Sequence, residues 1–528
     1  MELRNISRSL LIIGISLVLI SVGCISALGE EVITVGFRGD PGNLDPASGD
    51  PTNNTWFIHY QTYERLTRAS KENPDEVKPI LASSWESQED GQVWIFHLRE
   101  GVEFQNGASF TAEDVKYSFN RVMGIGVRTP SKWFSDLIDS MEIMDEHQIK
   151  FTLKKPYPLF PNLLSAMDAT YIVDSGTLKE HATNDDPWAQ EWARSHLVGT
   201  GPYELTEWKH GQYLTLEKNE DYWGGWDGKH FDKIQFKIVR ESSSRKIGVM
   251  EGSLDYVEDL SFTDIPVLKS RGQVDVHTYA TSQLWMIHMN NQRPPLDDVN
   301  VRKALTWAFP YQDAVEYIFQ GYTDVAQGAL GRGMAFHNDE LPVYSQDLEK
   351  AKSYLDKAGY EEGEIKLNLY YISGIDFERR LGEVFQSNLA EIGIDLELES
   401  APWPTLVEMH EAREPEERPY MAIRYNAPDY NGPFTQTLVP IFGCDQSWNW
   451  SAYCSSEYED LLEKYRTTTD QEELKNIAYR LQELVVEDAV NLYLCEGTGV
   501  SATRSDIKGY YTIPFYPGIA YVYDMYRE

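Results

Sequence analysis

Residues able to do chemistry are plentiful in this sequence, but they are not spaced for catalysis. Among 83 Asp and Glu, 11 His and 4 Cys, no Gly-x-Ser-x-Gly elbow presents a nucleophile and no Walker-type loop cradles a phosphate. No His-Glu-x-x-His places two imidazoles on one helix face, because His410-Glu411 lacks the second His. Gly124-Ile125-Gly126 and Gly331-Arg332-Gly333 each lack the third glycine of a dinucleotide loop and read as turns. A glycosidase needs two facing carboxylates, and nothing in the sequence selects such a pair. The expectation is a protein that binds and releases, with no catalytic residue, no metal and no cofactor.

The cysteines divide by position. Cys444 and Cys454 lie close enough to close a short loop, and a disulfide between them is expected in an oxidising compartment. The competing metal reading finds no His or Cys pair at zinc-like spacing around them. Cys495, beside Val490-Asn491-Leu492-Tyr493-Leu494, reads as a buried free thiol. Cys24 belongs to a different segment. Arg4 and Arg8 precede an almost unbroken apolar run from Leu10 to Val22, which has the charge and length of a secretion signal; a membrane span needs roughly 20 apolar residues. Residues 1–24 are therefore read as an export signal. Ser21-Val22-Gly23-Cys24 resembles the lipobox of exported lipoproteins, in which the Cys24 thiol takes a diacylglyceryl group after cleavage before it. Ordinary cleavage after Ala27 is the alternative. Either route puts the mature chain outside the cytoplasm, anchored at Cys24 or periplasmic. Asn53 and Asn449 stand in glycosylation sequons.

A formal net charge of -36 repels phosphate backbones and sets nucleic acid aside as a partner. The 42% hydrophobic and 12% aromatic content assigns that acidity to the surface of a folded chain. At 528 residues the chain exceeds the ~100–200 of one common domain, so its core should be divided among lobes. No repeat, low-complexity tract or long linker separates them, so the lobes are closely connected, and a monomer is expected.

The elements that must position any site are mixed. Period-two alternation marks strands at Trp94-Phe96-Leu98, Ile149-Phe151-Leu153, Ile234-Phe236-Ile238 and Ile394-Leu396-Leu398. Thr111-Ala112-Glu113-Asp114 is a capping box opening a helix with Val115, Phe119 and Val122 on one face. Asn300 is read as the cap of a helix carrying Val301, Ala304, Leu305 and Ala308. Further helices run from about Asp347 to a Gly359 stop, along Leu381, Phe385, Leu389 and Ile392, and twice between Ser456 and Glu487. The class is α/β.

Three blocks carry a family resemblance. The first runs from Ala82-Ser83-Ser84-Trp85-Glu86 through Trp94-Ile95-Phe96-His97-Leu98-Arg99 to Thr111-Ala112-Glu113-Asp114-Val115. The second is Gly199-Thr200-Gly201-Pro202-Tyr203 with Trp208, Asn219 and Tyr222-Trp223, its glycines suiting a tight turn. The third runs from Pro294-Pro295-Leu296-Asp297-Asp298 to Ala304-Leu305, and Leu44-Asp45-Pro46 completes the set. Together they resemble family 5 of the extracellular solute-binding proteins, which includes oligopeptide-, dipeptide- and nickel-chelate-binding subunits of ABC importers. The resemblance implies a three-lobed periplasmic-binding-protein-like fold with a ligand cleft between two hinged lobes. Lobe I is expected from 31–58, 196–278 and 496–528, lobe II from 59–195 and lobe III from 279–495, with two crossing strands as the hinge.

The resemblance also implies site residues. Ala427-Pro428-Asp429-Tyr430-Asn431-Gly432-Pro433 resembles the Asp-Tyr-x-x-Pro segment of peptide binders, making Asp429 the acceptor of a ligand ammonium; the alternative is an Asp opening a turn. Tyr425, Asn426 and Ala427 would form an edge along which a peptide lies as an added strand. Trp403 falls at a pocket-lining position, with a core anchor as its alternative, and Asp50 and Thr52 would face them from lobe I. Ile372 stands where dipeptide binders carry an arginine, and Arg424 is an odd number of residues from Asp429, which puts the two on opposite strand faces. Longer or blocked peptides are therefore favoured over dipeptides, with oligosaccharide or a metal chelate as alternatives. His410, among charged residues, reads as exposed and not as a chelate ligand. The implied partners are a peptide or similar small solute, the permease and ATPase subunits of an importer, and the membrane through the Cys24 anchor.

Overall fold

The computed structural model describes residues 30–528 apart from 50–52, 72–75, 127–128, 168, 333, 335, 374, 412–413, 427–436, 469 and 513–517. Fourteen strands build its two main sheets: β1 (Val32–Phe37), β2 (Ala82–Gln88), β3 (Val93–Leu98), β4 (Ile138–Asp145), β5 (Gln148–Leu153), β6 (Tyr203–Lys209), β7 (Tyr213–Lys218), β8 (Lys233–Ile238), β9 (Tyr256–Val257), β10 (Val274–Met289), β11 (Lys366–Ile372), β12 (Asp395–Ala401), β13 (Met421–Asn426) and β14 (Asn491–Arg504). One sheet has ten strands in the order β12-β11-β13-β10-β14-β9-β1-β8-β7-β6, and the other has four in the order β2-β3-β5-β4. The helices used below are α1 (Asn53–Thr62), α2 (Ala112–Ile125), α3 (Ser242–Glu251), α4 (Val299–Ala308), α5 (Leu348–Ala358), α6 (Asp376–Ala390), α7 (Trp403–Glu411), α8 (Ser456–Thr467) and α9 (Gln471–Glu487). No helix among the described residues is long and apolar enough to cross a membrane.

Alternation along β10 and β14 explains how one sheet serves two cores. Trp285, Ile287, Met289, Leu492 and Leu494 pack with α4, α5 and α6 on one face, whereas Leu284, Met286 and Tyr493 pack with α8 and α9 on the other. Other apolar clusters form on β1 with β7 and β8 and on β3 and β5 with α2.

Local signals act much as their chemistry requires. At α2, Asp114 accepts from the backbone N–H of Thr111 at 2.9 Å and from its hydroxyl at 3.0 Å, closing the box. α5 opens on Asp347, which accepts from Lys350 N at 2.9 Å, and ends at Gly359 with φ 80°. The cap of α4 is corrected by the structure. Asp298, not Asn300, is its N-cap and accepts from Asn300 N at 2.7 Å, because the carboxylate two residues upstream reaches the first free N–H groups and complements their positive end.

Two buried polar nodes tie the segments that follow β1 and α1 to residues distant in the chain. Arg121 of α2 meets Asp45 as a fork, Nη1 to Oδ1 at 2.6 Å and Nη2 to Oδ2 at 2.8 Å, both side chains almost wholly buried. Burial raises the Asp45 pKa, but the bonds and charge of Arg121, with Ser48 and Ala47, outweigh it and hold the carboxyl below its ordinary value. Glu64 beyond α1 accepts from Trp223 Nε1 at 2.6 Å, Tyr222 Oη at 2.9 Å and Thr200 Oγ1 at 3.0 Å. The chain bends at Thr200–Pro202, and the glycines at 199 and 201 also serve close approach. Neither has positive φ, but a Cβ at Gly201 would lie 2.7 Å from the Thr62 carbonyl carbon, and one at Gly199 would collide with the Thr62 oxygen.

Arg121→Ala should destabilise the protein by about 3–5 kcal/mol, because it strands a buried carboxylate; urea denaturation checks this. Since the folded pKa of Asp45 lies below the unfolded one, the pair's contribution is complete above the unfolded value and lost as pH falls through the folded value. The gap between parent and variant should therefore close under acid. Gly199→Ala should lower stability by about 1–3 kcal/mol through overpacking against Thr62, read in the same assay.

Candidate functional site

The site follows from strand direction. β1 runs parallel to β8 and β9, and β11 runs parallel to β12 and β13. Between the two groups, β10 and β14 are antiparallel to each other; β9 is antiparallel to β14 and β13 to β10. The carboxyl ends of the two parallel groups consequently point at each other. Val257 ends β9 opposite Ala502, and Asn426 ends β13 opposite Leu284, which pairs with Glu496. Six residues of β14 separate these levels, or ~20 Å at strand rise. Ligands of open α/β sheets bind in crevices beyond such carboxyl ends.

The floor of this crevice is where β10 and β14 cross. Their register shifts between Ala280 and Leu284, so the ladder is loosest at the point that joins the two halves. Gly497 and Gly499 let side chains lie flat on this floor: a Cβ at Gly497 would stand 2.5 Å from Gln283 Cβ, and one at Gly499 would enter the Tyr279 ring.

The wall beyond β1, β8 and β9 is tied together by Arg245 of α3. Its guanidinium donates to Glu258 O at 3.1 Å, Val239 O at 2.9 Å, Arg240 O at 2.7 Å and Asp259 O at 3.0 Å. Arg38, following β1, pairs with Asp259 at 3.3 Å. Glu258 is 1% exposed, and burial, reinforced by Asp259, pushes its carboxyl well above the usual range.

The opposite wall is aromatic. β11 pairs with β13 at Met421 and Ala422, while the pairing of β13 with β10 continues to Asn426. Tyr425 is exposed there and lies 4.8 Å from the ring of Trp285. Arg424 points to the other face, with its guanidinium 4.5 Å from Trp448, 4.7 Å from Trp450 and 5.8 Å from Trp403. Trp403, one residue past the Pro402 that follows β12, stacks on Trp448 at 6.2 Å and on Trp450 at 5.5 Å. Trp448 and Trp450 lie in the loop closed by the Cys444–Cys454 disulfide, which Asn449 braces by donating to Gly443 O at 2.9 Å and Tyr453 O at 2.7 Å. Behind β11, Glu378 of α6 accepts from Ile372 N at 2.7 Å, and burial, opposed by this bond, raises its carboxyl to about 7.

Of the residues expected at the site, Tyr425 and Asn426 end β13, Tyr425 against Trp285 on one face, whereas Trp403 stands with Arg424 on the opposite face. Asp429, Ala427, Asp50 and Thr52, like Cys24, lie outside the described residues. Cys495 is a buried free thiol. His410 is corrected: it is 1% exposed and stacked on Trp450 at 4.0 Å, because α7 turns it beneath the tryptophans. No cluster of three or more metal-ligating side chains occurs among the described residues. Arg245, Glu258 and Trp448 were missed, because each acquires its place only through strands distant in sequence; the Trp-Asn-Trp triplet inside the cysteine loop was the one available signal.

Residues 76–448 match the model of the bacterial extracellular solute-binding proteins, family 5 Middle. The chain is 30% identical over 491 residues, covering 92% of each chain, to a probable D,D-dipeptide-binding periplasmic protein of Escherichia coli. Among solved structures, the periplasmic binding protein DppA of Helicobacter pylori in complex with peptide STSA superposes with a TM-score of 0.75 at 25% identity, covering 94% of this chain and 99% of that one. The substrate-binding protein CtaP of Listeria monocytogenes gives a TM-score of 0.84 at 22% identity with the same coverage, which speaks for the fold. The crevice between opposed strand ends, the crossing strands beneath it and these matches lead to one conclusion: the chain belongs to family 5 of the bacterial extracellular solute-binding proteins.

Proposed function

We propose that this chain is the extracytoplasmic substrate-binding subunit of an ABC importer that captures peptides by cleft closure and hands them to a permease driven by an ATPase, without doing chemistry itself. The observation that carries this reading is the carboxyl end of β13 at the crevice, with Trp403 and Trp448 exposed around Arg424. Such indoles receive the side chains of an extended peptide, whose backbone is held by strand ends at the crevice. The STSA peptide held by the Helicobacter relative fits the same chemistry.

In this reading three lobes take the boundaries 31–58 with 196–278 and 496–528, then 59–195, then 279–495. The crossing of β10 and β14 is the hinge, its irregular register between Ala280 and Leu284 absorbing the rotation. Asp429, just beyond β13, receives the ligand ammonium, with Ala427 completing the strand end and Asp50 and Thr52 facing from lobe I. Cys24 carries the lipid anchor on the outer face of the membrane. The stacked indoles also suit an oligosaccharide, and Asp429 separates the two readings because a neutral sugar does not use it.

Native mass spectrometry of the protein purified from its own host should show a heterogeneous set of peptide masses on the parent, absent from Asp429→Asn. A single sugar-like mass indifferent to that substitution overturns the peptide reading. Trp403→Ala should weaken peptide binding by about tenfold, a value within the range for truncating a buried aromatic contact, measured by calorimetry.

A further inference from the structure

Glu258 is placed where a structural carboxylate has no evident use. It follows β9 directly, at the carboxyl ends of β1, β8 and β9, and its neighbour Leu260 donates to Val500 O of β14 at 3.1 Å. Both carboxyl oxygens are buried, and neither has a hydrogen-bond partner among the described residues. Around it stand Asp259 on its own loop, Arg38 after β1, Arg245 of α3 and the rings of Tyr256, Tyr279 and Tyr510.

Most of these neighbours have their donors directed elsewhere. Arg245 donates to four backbone carbonyls, and Arg38 is paired with Asp259. The Tyr256 hydroxyl donates to Gly518 O at 2.6 Å, and the Tyr510 hydroxyl bonds Ser501 Oγ at 2.7 Å. A carboxyl buried without a donor is costly, and a glutamine or leucine would fill the space with less penalty. A ligand that brings a donor into the crevice removes that cost.

Resting on the peptide reading above, we propose that Glu258 receives a positively charged group of the ligand, a primary ammonium or guanidinium, on the wall opposite Trp403 and β13. Its surroundings favour the protonated acid while the crevice lacks a cation. When a cation arrives, the carboxyl O–H proton leaves to the buffer and the carboxylate pairs with the ligand. Because Asp429 receives the terminal amine in that reading, the cation at Glu258 is that of a basic side chain, Lys or Arg.

The test uses the full mature chain, freed of bound ligand by partial unfolding and refolding, with tetraalanine peptides. Each position in turn carries Lys or norleucine, and each peptide has a free or acetylated amino terminus. One Lys position should bind about tenfold or more tighter than its norleucine counterpart, with a free and with an acetylated terminus alike, as a charge-assisted bond in a dry site does. Glu258→Gln should abolish that preference while changing the affinity of the neutral counterpart about twofold or less. Calorimetry of the parent in buffers of different ionisation enthalpy gives a second readout that needs no variant: close to one proton released per cationic ligand, none for the neutral one. Binding of neutral and cationic peptides alike, without proton release, overturns the inference and leaves the peptide reading standing. A preference that survives in Glu258→Gln also overturns it. A parent that binds none of the peptides overturns both.

Discussion

The ladder between β10 and β14 is the interaction on which the rest of the structure depends. These two long strands are paired from Val274–Arg504 to His288–Asn491, and every other strand of the ten-stranded sheet is reached through them. They reverse strand polarity between the two parallel groups. With that reversal, the carboxyl ends of β1, β8 and β9 and those of β11, β12 and β13 face one crevice. The slack in their register between Ala280 and Leu284 lies at its floor, so the segment that joins the halves is also the one best able to bend.

The two walls of the crevice solve different electrostatic problems. Carbonyls crowd the ends of the parallel strands, and Arg245 satisfies four of them from a buried position, fixing the loops on which Arg38, Glu258 and Asp259 sit. Across the crevice a guanidinium is used differently, as Arg424 lies among three indoles and stiffens them through contacts with ring faces. The disulfide at Cys444–Cys454 and the bonds of Asn449 hold two of those indoles on a short loop. Asn449, read from sequence as a glycosylation sequon, is 3% exposed and fully engaged in that loop. A glycan there would take one of the two Nδ2 hydrogens and so break one of those two bonds.

The fold was legible in the sequence wherever the signal was local. Alternation marked β3, β5, β8 and β12, and the capping box at Thr111 and the stop at Gly359 mark ends of α2 and α5. The Cys444–Cys454 pairing also came from spacing. The errors came where two local readings competed and packing chose. Asp298 displaced Asn300 at the head of α4, and His410 went inward despite charged neighbours because Trp450 offered it a face. The glycines at 199 and 201 serve the approach of Thr62 as well as the bend at Thr200–Pro202.

By itself, then, the sequence determined class, the absence of catalytic spacing and a family resemblance, all of which rest on residue type and short-range periodicity. Tertiary structure alone decided that Glu258 is buried without a donor among the described residues, that Arg245 gathers carbonyls from two strand ends, and that Trp403, Trp448 and Trp450 form one stack. The physical reason is distance along the chain. Strand direction and register bring residues 38, 245, 258, 279 and 510 together on one wall, and 403, 424 and 448 on the other, and no window of sequence contains either set.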